Sequence, residues 1–329
     1  ALEVFRWQRA HCEVVARIAD AALDGGDPAG VDDIPAVPTD VFKHVSVACF
    51  REERAVRVFR TSGTTQELRG AHAFDDLSLY HAACLAAARR WLLPAPRYRF
   101  VLLCTDEAEA PDSSLTYMLA RFVDAWGDDG GAFCVRDGRV DLARVDARVR
   151  GARDEGIPVA LLGASYGFVH LLDGTAADLS LPTGSVVMPT GGFKGRAREL
   201  DVDAFHAMLV ARLGVSRAQI VGEYGMTELS SQAYEAHREG AASGVYRAPP
   251  WMRVTAVDPA TLAPLRAGET GLLRVLDLAN LGSAVAVQTS DLGCVRDDGF
   301  VVLGRAPGAT PRGCARALDA ALLDGARRT

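Results

Sequence analysis

Three short segments carry the residue types that handle a nucleotide. Thr61-Ser62-Gly63-Thr64-Thr65 follows the strand-like run Arg57-Val58-Phe59. Small hydroxyl residues around a glycine let backbone N–H groups and side-chain hydroxyls close round phosphate oxygens. The loop lacks the lysine of the G-x-x-x-x-G-K-[ST] pattern, so it is a different kind of phosphate loop. Gly222-Glu223-Tyr224-Gly225-Met226-Thr227-Glu228 ends a second strand and offers a ring for a base, a hydroxyl for a phosphate and a carboxylate for Mg²⁺. Thr289-Ser290-Asp291-Leu292-Gly293 ends a third, where a carboxylate can accept hydrogen bonds from ribose hydroxyls. Taken singly, each has a plainer alternative: a Ser/Thr-rich turn, a core tyrosine beside a solvated glutamate, and an Asp-Gly turn.

The cations are unusual. Of 36 basic residues only two, Lys43 and Lys194, are lysine. An ammonium after the Gly191-Gly192 turn is suited to neutralise a carboxylate or an α-phosphate as charge develops on it. Lys43 sits in a proline-stiffened entry segment, where it can equally cap a helix or pair with an acid. The seven cysteines, an odd number without a C-x-x-C pair, argue against a disulfide framework or a zinc site and fit a reducing cytoplasm. Cys12, Cys84 and Cys104 read as core. Cys314 follows Arg312 and precedes a helical run, a setting that favours the thiolate, although a free cysteine is also a common small core residue. Tyr166 and His170 follow a strand end and, with Met118, suit the lining of an apolar pocket.

These residues need a scaffold of alternating elements. The spacing predicts helices over 1–24, 77–93, 115–126 and 202–213, with strands over 100–105, 159–164, 186–189 and 219–223. Such alternation implies an α/β core with a mostly parallel sheet, whose ligands sit beyond the carboxyl ends of the strands. After residue 246 the pattern turns to short strands and hairpins. The expected organisation is therefore a core over 1–245, a small β-rich subdomain over 246–305 and a tail over 306–329. With 329 residues, 49% hydrophobic, the chain is large enough to build an ordinary core. A net charge of −6 supplies no basic field for nucleic acid. The longest apolar runs are strand-sized, so neither a signal peptide nor a membrane span is expected.

Together and in this order, the three nucleotide segments resemble the adenylate-forming superfamily, whose members activate a carboxylate with ATP as an acyl-AMP and release pyrophosphate. A narrower set, spread over 34–314, is similar to the LuxE-type acyl-protein synthetases. It comprises Ile34-Pro35 through Val41-Phe42-Lys43, Phe59-Arg60 with the Thr61–Thr65 loop, Ser113-Ser114-Leu115-Thr116-Tyr117-Met118, Gly191-Gly192-Phe193-Lys194-Gly195 and Pro311-Arg312-Gly313-Cys314, while the Gly304-Arg305 pair resembles the superfamily's own pattern. The chain departs from the pattern at Gln66, where glycine is usual. Only 25 residues follow Gly304, where superfamily members carry a swinging domain of roughly a hundred residues.

The resemblance implies an ATP- and Mg²⁺-dependent ligase that forms an acyl-adenylate and passes the acyl group to a thiol. Cys314, coenzyme A and a carrier-protein thiol all remain open as acceptors. Nucleotide binding falls to Thr61, Ser62, Gly63, Thr64, Thr65, Gly191, Gly192, Glu223, Tyr224, Gly225, Asp291 and Arg305. Lys194, Thr227, Glu228 and Cys314 would carry the chemistry, with Glu228 on the metal. Ser114, Met118, Tyr166 and His170 would line the acid pocket. The expected partners are a small carboxylic acid, aliphatic or aromatic, and an acyl-accepting protein such as a reductase or carrier. A rival reading keeps the fold but makes the chain a non-catalytic or partner-dependent nucleotide-binding module.

Overall fold

The computed structural model describes residues 1–62, 68–128, 131–174, 179–191, 201–306 and 321–322. Its helices are α1 (Leu2–His11), α2 (Glu13–Leu23), α3 (Ser78–Trp91), α4 (Ser114–Trp126), α5 (Leu142–Glu155), α6 (Ser165–Gly174) and α7 (Val202–Leu213). The strands are β1 (Val37–Pro38), β2 (Arg57–Arg60), β3 (Ala71–Phe74), β4 (Arg99–Leu103), β5 (Val135–Arg136), β6 (Arg139–Val140), β7 (Val159–Ala164) and β8 (Val186–Thr190). They continue with β9 (Glu223–Tyr224), β10 (Ala233–Glu235), β11 (Val245–Arg247), β12 (Met252–Val257), β13 (Thr270–Asp277), β14 (Ala286–Arg296) and β15 (Gly299–Arg305).

The chain forms two compact units: Ala1–Ala83, Gly225–Ala233 and Gly244–Thr329 make the first, Cys84–Tyr224 and Tyr234–Ser243 the second. The β-rich stretch over 246–305 thus belongs to the same unit as the N-terminal helices. No helix among the described residues is long and apolar enough to cross a membrane.

In the second unit a parallel sheet runs in the order β9-β8-β7-β4. Side chains alternate across a strand, yet Phe100, Val101, Leu102 and Leu103 are all buried, so β4 is covered on both faces. One cover is a core that joins Val101, Leu103, Leu161 and Val187 to Val145 and Val149 of α5, Phe168 of α6 and Phe205 and Leu209 of α7. Three of this unit's helices begin at a side-chain cap. Ser113 accepts from Thr116 N–H at α4, Asp141 from Arg144 N–H at α5, and Asp201 from Asp203 and Ala204 N–H at α7. Gly156 and Gly214, both left-handed, end α5 and α7.

In the first unit an antiparallel sheet runs β12-β13-β14-β15-β11, and β1 adds to β14 in parallel with Val37 opposite Val287. Phe5, Val14, Ile18, Ile34, Val41, Phe42 and Val285 share one core. The polar Gln8 enters it fully bonded: its Nε2 donates to the carbonyls of Asn280 and Leu281, and Val285 N–H donates to its Oε1.

Four expectations need correction. The N-terminal helix is two, broken where Cys12 turns extended (φ −123, ψ 110) and caps α2. Helix α5 escapes the periodicity because only Val145, Val149 and Ala152 are buried in an arginine-rich segment. The strand expected at 219–223 shrinks to β9, because Ser216 and Gln219 form a capping box that winds Arg217–Gln219 into a 3₁₀ turn. Finally, β14 runs on to Arg296, so Asp291 lies inside a strand, beside the register shift at Leu292/Gly293.

Candidate functional site

The first unit gathers one set of predicted residues. β2 and β3 form a hairpin that pairs Phe59 with His72 and Arg60 with Ala71. Its far end is clasped by Thr61 N–H donating to Gly70 O (2.9 Å), Gly70 N–H to Thr61 Oγ1 (2.8 Å) and Arg69 Nε to Thr61 O (2.7 Å). Thr61, where the expected phosphate loop begins, is thus held in place; Gly63, Thr64 and Thr65 lie outside the described residues. A Cβ at Gly70 would lie 3.2 Å from the Thr61 methyl and 3.6 Å from both Phe42 Cβ and Glu228 Oε1. A side chain at position 70 would crowd the Thr61 methyl and sit against the other two groups.

Glu228 is the acid at the centre of this cluster, 6% exposed. Desolvation pushes its carboxyl up to about 7, against the nearby charges of Arg305 and Lys43 and with that of Asp291. Asp291 faces Arg305 across β14 and β15, with Arg305 Nε 3.7 Å from Asp291 Oδ1. The Arg305 side chain is 74% exposed and Asp291 17%.

The backbone around Glu228 is held from three directions. His72 Nδ1 donates to Thr227 O (2.8 Å); burial drops the imidazole to about 4, so the ring is neutral at physiological pH. Asn280 Nδ2 donates to Glu228 O (2.8 Å). Asp277, fully buried, accepts from Ser230 N–H (3.0 Å), Ser231 Oγ (2.7 Å) and Ala279 N–H (3.0 Å). Trp251 Nε1 closes the network on Ser231 Oγ at 3.0 Å. None of His72, Gly70, Asp277 and Asn280 is foreseen by sequence reasoning. The only local hint is the histidine of Ala71-His72-Ala73-Phe74, an odd residue for a short buried strand.

The second unit carries the remaining residues. Thr190 stands opposite Glu223 in the parallel sheet, and its hydroxyl donates to the Glu223 carboxyl. Desolvation raises that carboxyl to about 7 despite the Thr190 bond. Ser165 Oγ donates to Thr190 O (3.1 Å) and Gly191 O (2.8 Å), tying the start of α6 to the turn after β8. Gly191 is left-handed at φ 69, a conformation glycine adopts without strain. Tyr224 is 8% exposed at the end of β9, and Gly225 follows it as the first residue of the other unit. A buried ion-pair cluster pins this strand: Glu235 accepts from Gly222 N–H and Arg217 Nη2, both at 2.8 Å.

The predicted acid-pocket residues sit on two helices. Ser114 opens α4 and Met118, one turn on, is 2% exposed. Tyr166 and His170 lie one turn apart on α6 with their rings edge-on at 6.5 Å, His170 exposed. Gly192, Lys194 and Cys314 lie outside the described residues. The six described cysteines are free, five of them buried.

The chain is similar to several known proteins. The family described as "Acyl-protein synthetase, LuxE" matches residues 4–323. A long-chain-fatty-acid--luciferin-component ligase of Vibrio harveyi is 25% identical over 286 residues, 82% of this chain and 71% of that protein. Its namesake from Aliivibrio fischeri is 22% identical over 278 residues, 81% and 70% of the two chains. In fold, the chain is similar to ATP-bound MatB from Rhodopseudomonas palustris at TM-score 0.56 and 18% identity, covering 76% of this chain and 48% of that one. It thus spans about half the length of that neighbour. An open conformation of 2-hydroxyisobutyryl-CoA ligase, in complex with 2-HIB-AMP and CoA, is similar at TM-score 0.70 and 12% identity over 92% of this chain and 68% of that one. The fold is that of adenylate-forming enzymes.

Proposed function

Because this chain belongs to the LuxE family of acyl-protein synthetases, a family of ligases, we propose that it activates a fatty acid with ATP as an acyl-adenylate and then transfers the acyl group to a thiol. One observation carries the reading: Thr61, at the base of the hydroxyl-rich loop, and the buried Glu228 carboxyl both border Gly70, and Glu228 shares its surroundings with Asp291 and Arg305. That set supplies a metal ligand, phosphate donors and a ribose acceptor within one unit. The named activity of the Vibrio harveyi and Aliivibrio fischeri relatives supports a long-chain fatty acid as substrate. The ATP bound to MatB and the acyl-AMP bound to 2-hydroxyisobutyryl-CoA ligase support the adenylate.

In this reading Thr61, Ser62, Gly63, Thr64 and Thr65 hold the phosphates, with Thr227 and Arg305 beside them. Gly191, Gly192, Glu223, Tyr224 and Gly225 serve the base, and Asp291 the ribose. The fatty acid is already ionised at neutral pH, so no general base is required. A carboxylate oxygen attacks the α-phosphorus, the bond from that phosphorus to the bridging oxygen breaks, and pyrophosphate leaves with the electron pair. Mg²⁺ suits a single buried carboxylate such as Glu228 together with phosphate oxygens. When bound, it neutralises phosphate charge. Lys194 adds a cation, and Ser114, Met118, Tyr166 and His170 receive the chain. A thiolate, from Cys314, coenzyme A or a carrier protein, then attacks the acyl carbon and AMP departs.

Carboxylate-dependent ATP–pyrophosphate exchange over straight-chain and aromatic acids tests this. Exchange with long-chain acids, lost in Glu228→Ala and Lys194→Ala, is the expected result. ATP binding without exchange for any acid would overturn it in favour of a nucleotide-binding module.

A further inference from the structure

The Glu228 cluster contains a cation whose work the sequence leaves open. Lys43 ends the 3₁₀ turn Thr39–Lys43, whose Val41 and Phe42 are buried at 0% and 2% exposure. That turn is set by β1, which lies on β14 with Pro38 opposite Gln288, three residues before Asp291. Phe42 meets the His72 ring edge-on at 5.8 Å, and its Cβ is one of the three groups converging on Gly70 beside Glu228 Oε1. Lys43 follows Phe42 directly, so its backbone is held on the same buried turn that packs against His72 and borders Gly70. Its side chain is 41% exposed.

The contact made by the ammonium is a pair with Asp40 at 2.7 Å, three residues away on the same turn and partly solvated. Such pairs contribute little to stability and exchange readily. A structural role for Lys43 would rest on that pair. Yet arginine, which makes surface pairs at least as well, has replaced lysine at 34 of 36 basic positions in this chain. What lysine offers over arginine is a compact point charge with three donors that can follow a shifting oxygen.

We propose that Lys43 is a catalytic cation of the adenylation step, leaving Asp40 to hydrogen-bond a non-bridging oxygen of the α-phosphoryl group as the carboxylate attacks. The proposal rests on the acyl-adenylate reading above. No proton moves. The ammonium remains charged while the new carboxylate-oxygen–phosphorus bond forms and the bond to pyrophosphate breaks, and its donors stabilise charge that shifts in the transition state.

The test is ATP–pyrophosphate exchange, with an acid that supports it in the wild type, for Lys43→Met, Lys43→Arg and Asp40→Asn. Lys43→Met is expected to lower kcat for exchange by about 100-fold or more, the usual effect of deleting one such donor, while the KM for ATP changes several-fold less. Lys43→Arg recovers part of the rate, and Asp40→Asn stays within about threefold of wild type. Equal losses in Lys43→Met and Asp40→Asn would mean the ion pair is structural and overturn the proposal. So would a Lys43→Met enzyme within about threefold of wild type, or one altered only in KM. Should Lys43→Met fail to fold, Lys43→Arg and Asp40→Asn carry the same contrast: a deficit in the first and none in the second supports the proposal, and the reverse refutes it. Absence of exchange in the wild type defeats the parent reading instead, so the two failures are distinct.

Discussion

Glu235→Gln in the second unit gives a prediction that can be worked through in numbers. The Glu235 side chain is 3% exposed, which by itself would raise its pKa. The Arg217 hydrogen bond and charge, the adjacent His237 ring and Gly222 N–H overcome that and hold the carboxyl down at about 2, against an ordinary 4.5. His237 Nε2 lies 2.9 Å from Arg217 Nη1 and 3.3 Å from Glu235 Oε2, so the three side chains form one cluster. A folded-state pKa below the unfolded one means the unfolded chain binds the proton more tightly. Stability from this group is thus fully present above about 4.5 and is lost as pH falls toward 2. The gap corresponds to about 3 kcal/mol at neutral pH. Glu235→Gln removes the charge and sets an amide against two donors, so at pH 7 it should cost about 3–5 kcal/mol. Urea unfolding of both proteins from pH 7 to 2.5 isolates the effect, because every other carboxylate cancels in the difference. That difference should shrink by about 2.4 kcal/mol between pH 5 and 2.5. A difference independent of pH would refute the reasoning, since the Glu235 charge would then have no net role.

Other consequences can be checked the same way. Asn280→Ala strips a buried donor from the carbonyls of Glu228 and Ala284; a loss of about 2–4 kcal/mol in urea unfolding is expected, with exchange activity falling further than stability accounts for. His72 titrates at about 4 folded against 6.5 unfolded, so its contribution is complete above pH 6.5 and lost on descent to 4. The stability gap between wild type and His72→Asn should narrow across that window, and a constant gap would count against a neutral buried ring. Gly163 faces Leu103 in the parallel sheet, and a Cβ there would come within 2.7 Å of Leu103 O. Gly163→Ala should therefore destabilise by about 1–3 kcal/mol or more, measured by chemical denaturation.

The elements legible in the sequence were those whose own pattern suffices. Val159–Ala164 is an unbroken apolar run, and Val202–Leu213 lies between Asp201 and Gly214, so strand and helix emerge with their bounds. Cys12 hides the break between α1 and α2 because apolar spacing continues through it, while the backbone turn is set by packing of both helices in one core. The site divides along the same line. Glu228, Asp291 and Arg305 stand in short motifs that advertise their chemistry. Asp277 and Asn280, which hold the Glu228 backbone, act from some fifty residues away through hydrogen bonds that no local spacing encodes. His72 is likewise explained only by the hairpin that carries it to Thr227 O.

The central claim is that the acid attacks the α-phosphorus of ATP, and the fate of the carboxylate oxygen tests it most directly. A long-chain fatty acid labelled with ¹⁸O in its carboxylate, turned over with ATP and a thiol acceptor, should deliver one labelled oxygen to each AMP and none to pyrophosphate, as read by mass spectrometry. Label in inorganic phosphate with ADP as co-product, or unlabelled AMP, would contradict an acyl-adenylate.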